Sequence, residues 1–163
     1  MKSASHTFGE VQYHDMHEMN IKTLLASRGL NECRSFGFGN LAIEQMLSDK
    51  PNVKISNPIT ADYDTMRNGL LFGLLYAVSN NEKRGYPDLN LFEVGAVFDG
   101  DMPGNQHTSL CIVRTGATSP KHWTGRNRNV DVYDIKSDLI ALMGGQKFTV
   151  STDNAPRWAH PIG

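Results

Sequence analysis

Two cysteines, Cys33 and Cys111, are all that this 163-residue sequence carries. That excludes a disulfide framework and points to a reducing cytoplasm. Long apolar runs are missing too. The longest, residues 70–78, is interrupted by Gly73 and falls far short of the roughly 20 residues of a membrane helix. The first six residues lack the apolar core of a secretory signal. No sign of charge dominates, since 16 Lys and Arg stand against 17 Asp and Glu for a net charge of −1. A protein that holds nucleic acid unaided has a broad positive field, and this one does not. Internal repeats, low-complexity tracts, HExxH, Gly-x-Ser-x-Gly and Walker-type loops are absent as well.

What remains is ordinary globular composition, 39% hydrophobic and 20% charged with 15 Gly and 7 Pro. Its length suits one domain that buries roughly 70% of its unfolded-chain surface. Residues 1–15 are polar and irregular and read as an arm, with a single domain over 16–163. Apolar spacing from Met16 through Leu25, closed by Arg28 and Gly29, predicts a helix over 17–28. A short strand over 33–38 follows, and Asn40 is placed to cap a helix over 41–47. Residues 53–56 alternate like a strand before the Asn57-Pro58 turn.

Leu70, Leu71, Leu74, Leu75 and Val78 form the strongest helical stripe in the chain, stopped by Lys83-Arg84-Gly85. Residues 89–98 read as a central strand with little free polar surface. A loop with two Gly, one Pro and two Asp leads to a strand over 108–115. A helix over 133–143 stops at Gly144-Gly145, and Phe148 and Val150 suggest one more strand. Strands joined by a hairpin, with helices in separate blocks, predict an α+β fold whose antiparallel sheet is flanked by helices.

Several clusters invite a chemical reading. His14-Asp15-Met16-His17-Glu18 places two imidazoles on one helical face beside a carboxylate, but no third ligand is set by spacing, and a solvated helix start is the preferred reading. Gly37-Phe38-Gly39 resembles the opening of a dinucleotide loop, but Ala42 stands where its third glycine belongs. Cys33 and Cys111 lie in expected strands and read as small buried hydrophobes. Lys121-His122-Trp123 with Arg126 and Arg128 sets cations beside an aromatic ring in a pattern able to touch RNA, with a solvated loop as the preferred alternative. The pairs Asp131/Asp134 and Asp62/Asp64 have helix-start or loop readings. No catalytic, cofactor-binding or metal-binding residue is assigned from these patterns.

A resemblance runs from about Leu24 to the C-terminus. It is carried by 25–32 (LASRGLNE), Asn57-Pro58-Ile59, Met66-Arg67-Asn68-Gly69-Leu70-Leu71 and Gly73-Leu74-Leu75. Asn81, Arg84-Gly85, Leu91-Phe92-Glu93-Val94-Gly95, 130–138 (VDVYDIKSD) and His160-Pro161 continue it in order. In these pieces the chain resembles the catalytic-like module of the beta chain of bacterial phenylalanine–tRNA ligase, a degenerate copy of the class II synthetase core. Residues 34–38 (RSFGF) depart from the family, which has a more hydroxylated, aromatic run there.

The resemblance implies a pseudo-catalytic domain, incomplete at the C-terminus, that is a fragment or truncated relative of a much larger chain. Active class II cores follow a strand like 95–98 with an arginine for the ATP α-phosphate, and here that position is Asp99. The implied function is structural: packing against the catalytic alpha chain through residues 33–38 and the helix before them. ATP, magnesium and tRNA belong to the assembled enzyme and are not bound by this chain, which is expected to self-associate when isolated. Two alternatives stand beside this. One is a small enzyme using Asp131, Asp134 or His107; the other is a free-standing RNA-binding or regulatory module using Trp123, Arg126 and Arg128.

Overall fold

A strand whose two sides are both rich in apolar residues must be covered twice, and Leu89–Phe98 is such a strand. The computed structural model describes residues 13–48, 50–102, 104–119, 122–123, 128–144 and 146. In chain order its elements are α1 (Tyr13–Ser27), β1 (Asn31–Glu32), β2 (Phe38–Gly39), α2 (Leu41–Leu47) and β3 (Thr65–Met66). They continue with α3 (Leu71–Glu82), β4 (Leu89–Phe98), β5 (Gln106–Thr115) and α4 (Val132–Leu142). One sheet runs β1-β4-β5, and β2-β3 form a separate pair.

β4 is central, as its pattern predicts. It pairs antiparallel with β5 from Leu89↔Thr115 to Phe98↔Gln106, while β1 lies parallel on its other edge through Asn31↔Leu91 and Glu32↔Phe92. The sheet is therefore mixed, because the long excursion through α2 and α3 between β1 and β4 supplies the crossover that a parallel pair needs. α1 and α4 cover one face, where Leu25, Leu30, Phe92 and Val94 meet Ile21, Leu110, Ile112 and Leu142. α3 covers the other, where Leu74, Val78 and Leu91 meet Cys33, Cys111 and Val113. Both cysteines are thus half-buried packing residues.

The helix ends follow local chemistry. Gly29, at φ +83°, lets the chain turn out of α1 as the Leu30 N–H donates to the Leu25 carbonyl at 3.2 Å. Asn40 Oδ1 accepts from the Ala42 N–H at 3.0 Å, and Asp64 Oδ1 accepts from the Leu41 N–H at 2.8 Å, so α2 starts where expected. Asp131 caps α4, and its own N–H donates to Asp134 Oδ2 at 2.9 Å in a capping box.

Four expectations change. α1 begins at Tyr13 rather than 17, so residues 13–15 are helix and not arm. Along α3 the buried line runs Leu70, Leu74, Val78, whereas Leu75 is 41% exposed, because positions four apart share a line and Leu75 sits one residue round the helix from it. The strand expected over 33–38 does not form: β1 ends at Glu32 and β2 begins at Phe38, since the Ser35 N–H leaves the ladder to bind the Glu93 carboxylate at 3.2 Å. The strand expected over 53–56 is reduced to an isolated bridge, Lys54↔Thr65. The expected strand at Phe148 and Val150, and arm residues 1–12, lie outside the described residues. Among the described residues no helix is long and apolar enough to cross a membrane.

One carboxylate ties three elements together. Asp138 of α4 is fully buried and accepts from Arg28 Nε at 2.8 Å and from Arg114 Nε at 2.7 Å. Burial by itself raises its pKa, but the two guanidinium groups outweigh that and hold it below the usual carboxylate range.

Two outcomes follow from this packing. Leu74→Ala is expected to cost about 2–5 kcal/mol in urea-unfolding experiments, as a cavity at a closed site, with Leu75→Ala well below it. Asp138→Asn is expected to cost about 3 kcal/mol at pH 7 by stranding two cations. The depressed pKa fixes the pH dependence. The Asp138 contribution is full above the unfolded value of about 3.9 and is lost as pH falls through the lower folded value. Melting temperatures of the two proteins should therefore converge below pH 4.

Candidate functional site

The side of β4 facing α3 carries Leu91, Glu93, Gly95 and Val97 in alternation, so an acid lies in the middle of a covered strand. Glu93 is 1% exposed. A lone carboxylate there is untenable, and Arg67, from the segment between β3 and α3, answers it. Arg67 Nη1 lies 2.6 Å from Glu93 Oε1, and its Nε donates to the Ala96 carbonyl at 2.8 Å. The Ser35 hydroxyl donates to Glu93 Oε2 at 2.7 Å and accepts from Arg67 Nη1 at 3.1 Å.

Two glycines make room for this cluster. A Cβ at Gly95 would come within 2.5 Å of Arg67 Nη2, and one at Gly73 of α3 would collide with the Ser35 hydroxyl. Both oxygens of Glu93 are engaged inside the protein. This arrangement holds a sheet face closed and offers no open acid or base to a substrate.

At the end of β4, the loop before β5 begins with Asp99, whose carboxylate is paired from two sides. Lys50 Nζ is 2.8 Å from Oδ1, and His107 Nδ1 is 2.6 Å from Oδ2. The hydrogen bond from Lys50, assisted by His107, pulls the Asp99 pKa below its ordinary value. The loop itself contains no Lys or Arg, so reading it alone predicts an uncompensated acid. The compensating cation arrives from 49 residues upstream.

A neighbouring acid is buried behind β2. Glu44 of α2 is 1% exposed, and burial pushes its carboxyl up, against the Asn68 N–H and Arg67. Gly39 makes space for it, since a Cβ there would meet Glu44 Oε1 at 2.7 Å. Gly37-Phe38-Gly39 therefore serves antiparallel pairing with β3 and close packing, and forms no phosphate loop.

Of the remaining sequence candidates, the side chains of His14, Asp15 and Met16 lie outside the described ones. Glu18 is engaged by Lys22 at 2.7 Å, and among the described residues no group of three His, Cys, Asp or Glu is placed to hold a metal. Asp131 and Asp134 are committed to the α4 capping box. Arg128 grips Asp134 with both guanidinium nitrogens at 2.7 Å, which lowers Asp134 to a pKa of about 2. His107 stands at the start of β5, whereas the α4 N-terminus lies beyond its far end, where the Val130 N–H meets the Gly116 carbonyl. His107, Asp131 and Asp134 are thus not brought together. Trp123 is 91% exposed, while Lys121 and Arg126 lie outside the described residues.

A long antiparallel hairpin in a mixed sheet, with helices on both faces, is an arrangement like that of class II aminoacyl-tRNA synthetase cores. The chain shares its fold with pyrrolysyl-tRNA synthetase from Desulfitobacterium hafniense, with a TM-score of 0.59 at 13% identity, covering 86% of this chain and 50% of that one. PylSc, a pyrrolysyl tRNA synthetase of the same organism, matches with a TM-score of 0.57 at 15% identity, over 88% of this chain and 49% of the other. At that identity the likeness is one of fold.

Sequence goes further. The family model described as phenylalanyl tRNA synthetase beta chain CLM domain matches residues 1–161, and the chain belongs to that family. The phenylalanine–tRNA ligase beta subunit of Rhodospirillum rubrum is 37% identical over 149 residues, 88% of this chain and 18% of the relative. That of Ruegeria pomeroyi is 38% identical over 140 residues, 83% of this chain and 18% of the relative. The chain thus spans less than a fifth of the length of these relatives.

The Arg67–Glu93 pair yields a double-mutant test. Arg67→Met, which leaves Glu93 buried and unpaired, is expected to cost about 3–5 kcal/mol. The double variant Arg67→Met/Glu93→Leu should regain at least half of that loss in denaturant unfolding. A double-variant loss equal to the sum of the two single losses would show that the side chains do not act as a pair.

Proposed function

We propose that the chain is a non-catalytic structural module of a phenylalanine–tRNA ligase beta chain, packed against the catalytic alpha chain of a cytoplasmic enzyme that attaches phenylalanine to its tRNA. ATP and magnesium act on the alpha chain, and the rest of a longer beta chain accompanies this module. The observation that carries the reading is Asp99. Where an active class II core presents an arginine to the ATP α-phosphate, this chain presents a carboxylate held by Lys50 and His107. With its charge taken up by Lys50 and His107, this position offers the α-phosphate a carboxylate and no free guanidinium, and so lacks the positive charge that stabilises the negative charge developing at phosphorus. The closed Arg67–Glu93 cluster on the same face of β4 supports the same conclusion.

Contact with another chain is supported by apolar side chains left outside on the first part of the fold. Met19 on α1 is 61% exposed and Phe36 is 71% exposed.

Isothermal titration of the chain with ATP and magnesium, with and without phenylalanine, is expected to give no saturable heat and no phenylalanyl-adenylate. Co-expression with the alpha chain of the same source is expected to give co-elution. Micromolar ATP binding that disappears in Asp99→Ala overturns the non-catalytic reading, and separate elution of the two chains overturns the packing.

A further inference from the structure

Next to Ser35 the surface opens into a groove of about 470 Å³, within the size range of ligand sites. Phe36, Phe38, Tyr63, Phe72 and Tyr76 line it, with Ile43 from α2. The rings stand in two tilted pairs. Phe36 and Tyr63 have centroids 5.7 Å apart, and Phe72 and Tyr76 6.3 Å apart. Phe36 and Tyr76 remain 71% and 59% exposed, so these aromatics do not close on one another as a core does.

Three polar residues complete the lining. The Asn40 side chain is spent on the N-terminus of α2, and the Ser35 hydroxyl on Glu93. Asp62 differs: it makes no hydrogen bond or ion pair with any described residue, whereas Asp64, two positions on, holds the Leu41 N–H. None of the described lining residues is a cation. The groove therefore combines aromatic faces, which are electron-rich, with one uncommitted negative charge.

That combination selects its occupant. A neutral apolar group would cover Asp62 without compensating it. A nucleic acid would stack bases on the rings but bring phosphates to a carboxylate with no lining cation to receive them. A guanidinium group satisfies both features, since its flat face stacks on aromatic rings and its edge pairs with a carboxylate.

We propose that this groove is a docking site for a partner polypeptide, taking an arginine side chain among the rings with Asp62 as its counter-ion. A flanking apolar residue of the same segment fills the remaining volume against Ile43. Phe36 belongs both to this groove and to the surface offered to the alpha chain, so the groove is tested on the chain without an alpha subunit; the Asp62-dependent preference reports on the groove, and co-elution reports on the alpha-chain contact.

The test is a titration of the full chain with the blocked tripeptide acetyl-Leu-Arg-Leu-amide, followed through the ring resonances of Tyr63 and Tyr76. The comparison ligand is the same peptide with citrulline, which keeps the shape of arginine and removes its charge. The arginine peptide is expected to bind about ten-fold more tightly than the citrulline peptide. Asp62→Asn, at an exposed position that holds no hydrogen bond, should abolish that preference while the melting temperature stays unchanged. Tyr76→Leu should weaken both peptides. Equal binding of the two peptides, absence of a saturable shift, or a preference that survives Asp62→Asn overturns the proposal. Tighter binding of an oligouridylate hexamer than of the arginine peptide overturns it in favour of a nucleic-acid site.

Discussion

A carboxylate in the middle of a strand covered on both faces is the constraint around which this fold is arranged. Glu93 has no route to solvent, so its charge must be met by neighbours, and the neighbours are drawn from distant parts of the chain. Arg67 supplies the cation and, through its backbone, receives Phe98 and reaches Gly37. Ser35 supplies two donors and in doing so leaves the edge of the sheet, which is why β1 is short and β2 begins afresh at Phe38. Gly73 and Gly95 are glycines because this cluster occupies the space a side chain would need. Replacing such a pair by hydrophobic residues need not weaken a protein, so its value here lies in setting where the segment 33–39 runs relative to the sheet.

Elements governed by short-range rules were legible in the sequence. β4 was readable because both of its sides are apolar over ten residues, and α2 because Asn40 stands directly before it. Those features depend on neighbours within a few positions. Arg67 and Glu93 each appear in the segments that resemble the family, but nothing in either segment says that they meet. Lys50 is likewise invisible from the loop it neutralises. The break within 33–38 was not legible for the same reason, since its cause is a hydrogen bond to a carboxylate 58 residues away. The candidate site was readable as a position, Asp99, but its partners were not. Asp131 and Asp134 were correctly seen as helix-start residues, because a capping box is itself a local pattern.

The β4–β5 hairpin is the longest paired element among the described residues. Its ten paired positions carry the packing against α1, α3 and α4, so the hairpin is required for the fold whatever stands at residue 99. The fold therefore constrains β4 far more tightly than residue 99, and a shared fold does not by itself imply a shared reaction.

The order β1-β4-β5 also bears on oxidation. Cys33 continues from β1 just past its pairing with Phe92, and Cys111 faces Glu93 from β5, so the two thiols lie on either side of the central strand. Two strand spacings amount to about 10 Å, beyond the roughly 7 Å across which a disulfide can be closed. Burial raises both thiols, and the Glu93 charge between them raises them further. Since the thiolate is the reactive form, burial first and the Glu93 charge second shift both sulfurs toward the less reactive thiol.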